Sequence, residues 1–398
     1  RGGFDPPPGA RCAIHVPTFQ ALLVMKRFLF SLLVVLVTGS ASAAIVPAPP
    51  QVAAEAYLLI DADTGTVLAE GNADDPRPPA SLVKMMTAYV LAGEIESGRV
   101  SADDRVTVSR NAWSQNPVFN GSSLMWIEPG KDVSISDLEH GIIISSGNDA
   151  TVAVAEHLAG SEDAFADMMN SYAKALGMTN SHFANSHGLP ADGQVVTARD
   201  LAKLSAAMIN DFPEHYSLYK KREFTYNNIR QYNRNSLLGE DASVDGIKTG
   251  YTKEAGYGLV ASAERDGMRL ISVVLGTRSP TARKNETRGL LNYGFRFYET
   301  VALFSAEQEL EQPRVWKGLQ DSVAVGVMEE ALVTLPRGQR EAMETQVELN
   351  ATLMAPIARG DQVGTVRLTQ AGETVFEAPV VALASVEQAG FFARIWDS

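Results

Sequence analysis

Cysteine is nearly absent from this chain of 398 residues: the single copy, Cys12, precedes the first methionine, Met25. A fold without disulfides must rest on burial. Positive charge is also in short supply. The 34 Lys and Arg stand against 47 Asp and Glu, a formal charge of −13, and that acidity argues against nucleic acid as a partner. Only 6 histidines occur, the closest pair being His182 and His187, and they form no metal-ligand constellation. No metal and no other cofactor is expected. Long apolar runs are missing as well: Phe28 to Val37 is about ten residues, where a membrane span needs roughly twenty.

That short apolar run has another use. Lys26-Arg27 precedes it and Ala41-Ser42-Ala43 follows it, giving the three parts of a secretory signal over residues 25–43, with cleavage expected after Ala43. Residues 1–24 play no part in such a signal and are taken as an upstream, non-native segment. Removing residues 1–43 takes away four basic residues and one acidic, so the charge of the remainder falls from −13 to −16. The 355 residues left exceed what one core usually serves, so two domains are expected.

Three short runs carry the chemistry: Ser81-Leu82-Val83-Lys84, Ser146-Gly147-Asn148 and Lys248-Thr249-Gly250. A hydroxyl and an amine three positions apart share one helix face, so the lysine can take the serine's proton without a histidine. Each run is weak alone. The S-x-x-K pattern recurs at Ser171 and Ser217, but only Ser81 follows Pro78-Pro79-Ala80 and opens an apolar run to Ile95 that reads as a buried helix. For Lys84 to act as a base it must be neutral. Burial and a second cation, Lys248, are expected to push its pKa down. Ser146 could pass a proton to a leaving amine, and Asn148 offers both a donor and an acceptor for a substrate amide. Lys248 and Thr249, at a strand edge, suit an anion, while Gly250 lets a ligand lie against the backbone. Arg283 is a second candidate for a carboxylate.

The pattern along the chain predicts a hairpin over Tyr57 to Glu70 and helices over 81–96, 136–145, 150–158, 164–176 and 197–209. Strands are expected at 259–263 and 269–275, joined by Asp266-Gly267. Strands at both ends with helices between imply one sheet built from distant segments. Beyond Val301 short alternating runs, including one turning at Ala371-Gly372, predict a small all-β domain. The last run, Gly390 to Ser398, places Phe391, Phe392, Ile395 and Trp396 on one helical side and is expected to begin a membrane-surface helix.

In their order, and with His187-Gly188-Leu189, Asn233-Arg234-Asn235 and Asp245-Gly246 around them, these motifs give a sequence that resembles the D-alanyl-D-alanine carboxypeptidases among the low-molecular-mass penicillin-binding proteins. The resemblance spans nearly all of the chain after the signal. It implies an α/β (α+β) catalytic domain of the β-lactamase/transpeptidase type, an antiparallel sheet flanked by helices, over residues 44–300. A β-rich domain over 301–386 follows, and residues 387–398 start a truncated amphipathic anchor on the outer face of the inner membrane. Residues implied by the resemblance are Ser81, Lys84 and Ser146 as catalytic, with Asn148, Lys248, Thr249, Gly250, Tyr251, Arg283 and Arg234 holding the substrate. The backbone N–H groups of Ser81 and Tyr251 would form the oxyanion hole. The implied partners are the D-Ala-D-Ala terminus of a peptidoglycan stem peptide and β-lactams as covalent inhibitors. Many relatives carry histidine after K-T-G, where Tyr251 stands here.

Two rival readings remain. A class A β-lactamase needs an E-x-x-x-N element, and Glu223 to Asn227 matches it, but 77 residues after Ser146 and only 25 before Lys248. A non-enzymatic cell-wall scaffold would be indicated by loss of nucleophile or base, and both are present.

Overall fold

The computed structural model describes Gly2, residues 46–370 and residues 372–390. The expected signal, Ala371 of the expected turn and the aromatic run 391–398 lie outside the described residues. Among the described residues no helix is long and apolar enough to cross a membrane.

Five antiparallel strands form the central sheet: β1 (Ala56–Asp61) and β2 (Val67–Gly71) from the start of the fold, and three from much later in the chain. Two small antiparallel pairs intervene: β3 (Arg105–Thr107) with β4 (Asp132–Ser134), joined by a long loop, and the tight hairpin of β5 (Glu223–Tyr226) with β6 (Ile229–Tyr232). The remaining sheet strands are β7 (Val244–Thr252), β8 (Gly256–Arg265) and β9 (Met268–Thr277), in the order β2-β1-β9-β8-β7. The strand bearing K-T-G is therefore an edge. Asp266 and Gly267 both have positive φ, 52° and 79°, which suits the twist of the β8–β9 turn.

Helices cover the sheet on both faces. On one lie α1 (Val83–Glu96), α2 (Ile135–His140), α3 (Asn148–Ala159), α4 (Glu162–Ala175), α5 (Ala198–Asp211) and the short α6 (Pro213–Tyr216). On the other lies α7 (Pro280–Phe297), capped by Ser279 and opened by Pro280. The pleat divides its side chains between these layers: Leu58 and Ile60 of β1 join the larger helical core, while Leu59 joins the core under α7. Because both faces are buried, the strands read as unbroken apolar runs. Helix α1 is buried on nearly every side, as its sequence of Val, Met, Ala, Tyr and Leu requires.

The run expected to be one helix over 136–145 is two structures. Helix α2 stops at His140 and Gly141–Ser145 continues as a π turn. A run of three isoleucines satisfies either winding, so periodicity cannot separate them. The sequence reading also passed over the β5–β6 hairpin and α7.

Among the described residues from Tyr298 on, the regular structure is β, apart from one 3₁₀ turn at Arg340–Ala342. Strand β10 (Tyr298–Phe304) pairs with β14 (Ala331–Pro336). Strands β11 (Glu309–Glu311), β13 (Val325–Gly326), β18 (Glu373–Ala382), β17 (Gln362–Gln370) and β15 (Met343–Leu349) make a five-stranded sheet in that order. The two-residue β12 (Val315–Trp316) and β16 (Leu353–Met354) pair in parallel. Its core of Val, Ala, Ile, Leu and Phe is separate from the other two. The junction is polar: Asp61, fully buried at the end of β1, accepts hydrogen bonds from Thr300 and from Thr334 (2.8 Å).

Candidate active site

Ser81 sits in a 3₁₀ turn, Ala80–Leu82, that leads directly into α1. Ala80 has φ +48°, a conformation alanine rarely adopts, and it is held there by close packing: a Cβ on Gly188 would come within 1.9 Å of the Ala80 carbonyl oxygen. The edge strand closes from the other side, since a Cβ on Gly250 would stand 3.1 Å from the Pro79 carbonyl oxygen. Glycine at both positions allows backbone to press on the turn that presents the serine.

One helical step on, Lys84 is 1% exposed and its Nζ lies 3.3 Å from Ser81 Oγ. The same Nζ donates to Asn148 Oδ1 (2.6 Å) and to the His187 carbonyl oxygen (2.5 Å). Asn148 is fixed in turn by donating to Ser122 Oγ (2.8 Å). The π turn ends in Ser146 at φ +59°, and Gly147 then runs extended into α3, so Ser146 and Asn148 reach the same space from a sharp bend. Lys248, 4% exposed, donates to Ser146 Oγ (2.9 Å).

These groups meet in a cleft of about 270 Å³ lined by Ser81, Ser146, Asn148, Arg234, Thr249, Gly250, Tyr251 and Arg283. Lys84 and Lys248 stand behind it, each bonded to one of the serines. All ten residues singled out from sequence thus fall in one place. Arg283 bonds weakly to the carbonyls of Gly250 (3.5 Å) and Gly258 (3.4 Å), faces the Tyr257 ring and lines the cleft. The Tyr251 ring is 53% exposed and stacks on Tyr257 with centroids 4.1 Å apart.

Burial is the main reason that the Lys84 pKa falls, to about 7. The cation that adds to it is Arg234, not Lys248 as the sequence suggested. Arg234 is an exposed residue of the cleft lining, so solvent screens much of its effect. Lys248 is also held well below its ordinary value, by burial first and then by Lys84. His187 contributes its carbonyl rather than its ring. Burial and then Lys84 push its imidazole down to about 3, which keeps it neutral. Among the described residues no cluster of metal-ligating side chains occurs.

Sequence reasoning missed Asp149. Its fully buried carboxylate accepts the backbone N–H groups of Met125 (2.8 Å), Trp126 (2.8 Å) and Ile127 (3.2 Å), fixing the loop beside Asn148. An acid directly after S-x-N, at the first turn of a helix, was the available signal. Glu223 of the β-lactamase reading is placed elsewhere: it lies on β5, pairs with Arg230, and does not line the cleft.

Comparison with known proteins gives the same constellation a family. Residues 43–279 match the model of the D-alanyl-D-alanine carboxypeptidases, and residues 298–388 match the C-terminal domain of penicillin-binding protein 5. D-alanyl-D-alanine carboxypeptidase DacA of Escherichia coli is 46% identical over 392 residues, 96% of this chain and 97% of that protein. Penicillin-binding protein 5 of Haemophilus influenzae superposes with a TM-score of 0.82 at 39% identity, over 86% of this chain and 100% of that one. A penicillin-binding protein of Listeria monocytogenes in its cefotaxime-bound form, 32% identical, covers 63% of this chain and 100% of its own with a TM-score of 0.57. A buried lysine against a helix-borne serine, a fold shared along its length and both domain matches make this chain a member of the D-alanyl-D-alanine carboxypeptidase family, with the C-terminal domain of penicillin-binding protein 5.

Proposed function

We propose that Ser81 is the nucleophile and Lys84 its base in the D-Ala-D-Ala carboxypeptidase reaction, carried out on the terminus of a peptidoglycan stem pentapeptide. The observation that carries these roles is the surroundings of the Lys84 amine. Neutral, it has two N–H bonds and one lone pair. Asn148 Oδ1 and the His187 carbonyl can only accept, so they take both N–H bonds. The lone pair is left for the Ser81 hydroxyl.

Ser81 gives its proton to Lys84 as Oγ bonds to the carbonyl carbon of the penultimate D-alanine. The oxyanion is met by the N–H groups of Ser81 and Tyr251. The C–N bond then breaks, and Ser146, held by Lys248, gives its proton to the departing amine of D-alanine and regains one from the Lys84 ammonium, which returns to the neutral amine. Arg283, Arg234 and Thr249 hold the terminal carboxylate at the cationic end of the cleft. Water attacks the ester by the same proton route and frees the shortened stem. A β-lactam undergoes the same attack, but its amine stays tethered and the ester persists.

Intact-mass measurement after incubation with penicillin tests the assignment. The wild type gains one adduct and Ser81→Ala gains none; an unmodified wild type overturns it, and rapid penicillin turnover would favour the β-lactamase reading. Catalysis is assigned to residues 44–300, with 301–386 as the β-rich domain. Export to the periplasm by residues 25–43 and contact of residues 387–398 with the outer face of the inner membrane complete the reading, supported by the basic, apolar and small-residue order of the first and the aromatic side of the second.

A further inference from the structure

We propose that two exposed tryptophans, on paired loop segments that run on from the Gly121–Ser123 wall of the cleft, form a platform for a sugar ring of the glycan to which the stem peptide is attached, so that the enzyme binds peptide and glycan together. The inference rests on the stem-peptide reading above. The chain has only 4 tryptophans, and Trp113 and Trp126 are 36% and 46% exposed. They flank one paired stretch of loop: Ser114 N donates to the Ile127 carbonyl (3.1 Å), Ser114 and Ile127 point inward, and the tryptophans next to them point out.

Trp126 is held there at a cost. Its φ of +74° is one that a large aromatic residue rarely adopts. The strain persists because the buried Asp149 carboxylate takes the N–H groups of residues 125 to 127. An indole that only filled space would be tucked inward; this one is displayed on a rigid support. The support is continuous with the active site. Asp149 follows Asn148, and the Ser123 carbonyl accepts the Asn148 N–H (2.8 Å).

The spacing suits an attached sugar. Trp126 is three residues beyond Ser123, hence within about 11 Å of it, and the four stem residues before the scissile bond span about 13 Å when extended. Flat indole faces match the C–H face of a pyranose. The exposed Gln115, Asn120 and Glu128 nearby can take its hydroxyls.

The test compares D-alanine release by the full chain from a disaccharide-linked pentapeptide of peptidoglycan and from the free pentapeptide. KM for the linked substrate is expected to be lower by about three- to tenfold, the scale of one aromatic contact. Trp126→Ala should erase that difference and Trp126→Phe should keep most of it, with kcat and penicillin acylation unchanged. If Trp126→Ala loses penicillin acylation because the loop gives way, Trp113→Ala, outside the turn held by Asp149, decides instead. Equal KM values in the wild type, or a preference intact in the deciding variant, would overturn the platform. Loss of binding to anionic phospholipid vesicles in Trp126→Ala, with the KM ratio unmoved, would assign the surface to a membrane. If neither compound releases D-alanine, the stem-peptide reading fails separately. Tryptophan fluorescence on adding each compound still reports whether the sugar is bound.

Discussion

A lysine that is 1% exposed and has no carboxylate among its hydrogen-bond partners is an unusual residue in an acidic protein. Its consequence is a pH profile. Only the neutral amine can accept the Ser81 proton, and the Lys84 pKa lies at about 7, so acylation by penicillin should climb with rising pH through that value and level off above it. Stopped-flow acylation rates from pH 5 to 9 would check this. Lys84→Arg should fold yet acylate far more slowly at every pH, because arginine stays protonated. Arg234→Ala removes a repulsive cation and should move the midpoint upward, by less than burial moves it down. Ser81, Lys84, Ser146, Asn148, Lys248, Thr249 and Gly250 were legible in sequence because chemistry fixes their types and spacing, whereas Tyr251 and Arg234 came only with the family resemblance, which also raised Arg283. The His187 carbonyl was not, since a backbone acceptor leaves no mark on residue identity.

Elements were legible where the local pattern and the tertiary role agreed. The hairpin at Asp266-Gly267 and the helix after Thr197 carried their own turn and cap residues. Helix α7 carried them too, in Ser279 and Pro280, but its polar outer side blurs the apolar stripe. The β5–β6 hairpin was marked by Asn227 and Asn228, both at positive φ, 53° and 61°. The π turn had no such mark. Among the helices, α6 depends on charge. His215 Nδ1 lies 2.6 Å from Glu139 of α2, and this bond, ahead of the coulombic pull of Glu139 and Glu96, raises its pKa. The stabilisation is complete below the ordinary histidine value of about 6.5 and is lost as pH rises through the raised one. Wild type should therefore melt above His215→Gln at pH 6, with the gap closing by pH 9 in thermal denaturation.

Across the whole molecule, the two folds are joined by two threonine hydroxyls on a buried acid. Thr334→Val should cost about 1–3 kcal/mol of stability in urea unfolding, because the Asp61 carboxylate loses a donor it cannot replace with water. A fragment ending near Thr300 loses that same bond, so it should melt lower and still be acylated by penicillin; a folded but inert fragment would show that the β domain takes part in catalysis. This dependence was not legible from sequence, since Asp61 reads as an ordinary turn acid and its threonines lie 239 and 273 positions away.

The dryness around Lys84 and Lys248 has a consequence for how the enzyme ages and warms. Their low proton affinity is supplied by exclusion of solvent, not by a bonded partner that travels with them. Any loosening that wets the interior hands the protons back. Activity near neutral pH should consequently fade in dilute urea while circular dichroism still reports a folded chain, and raising the pH should restore it.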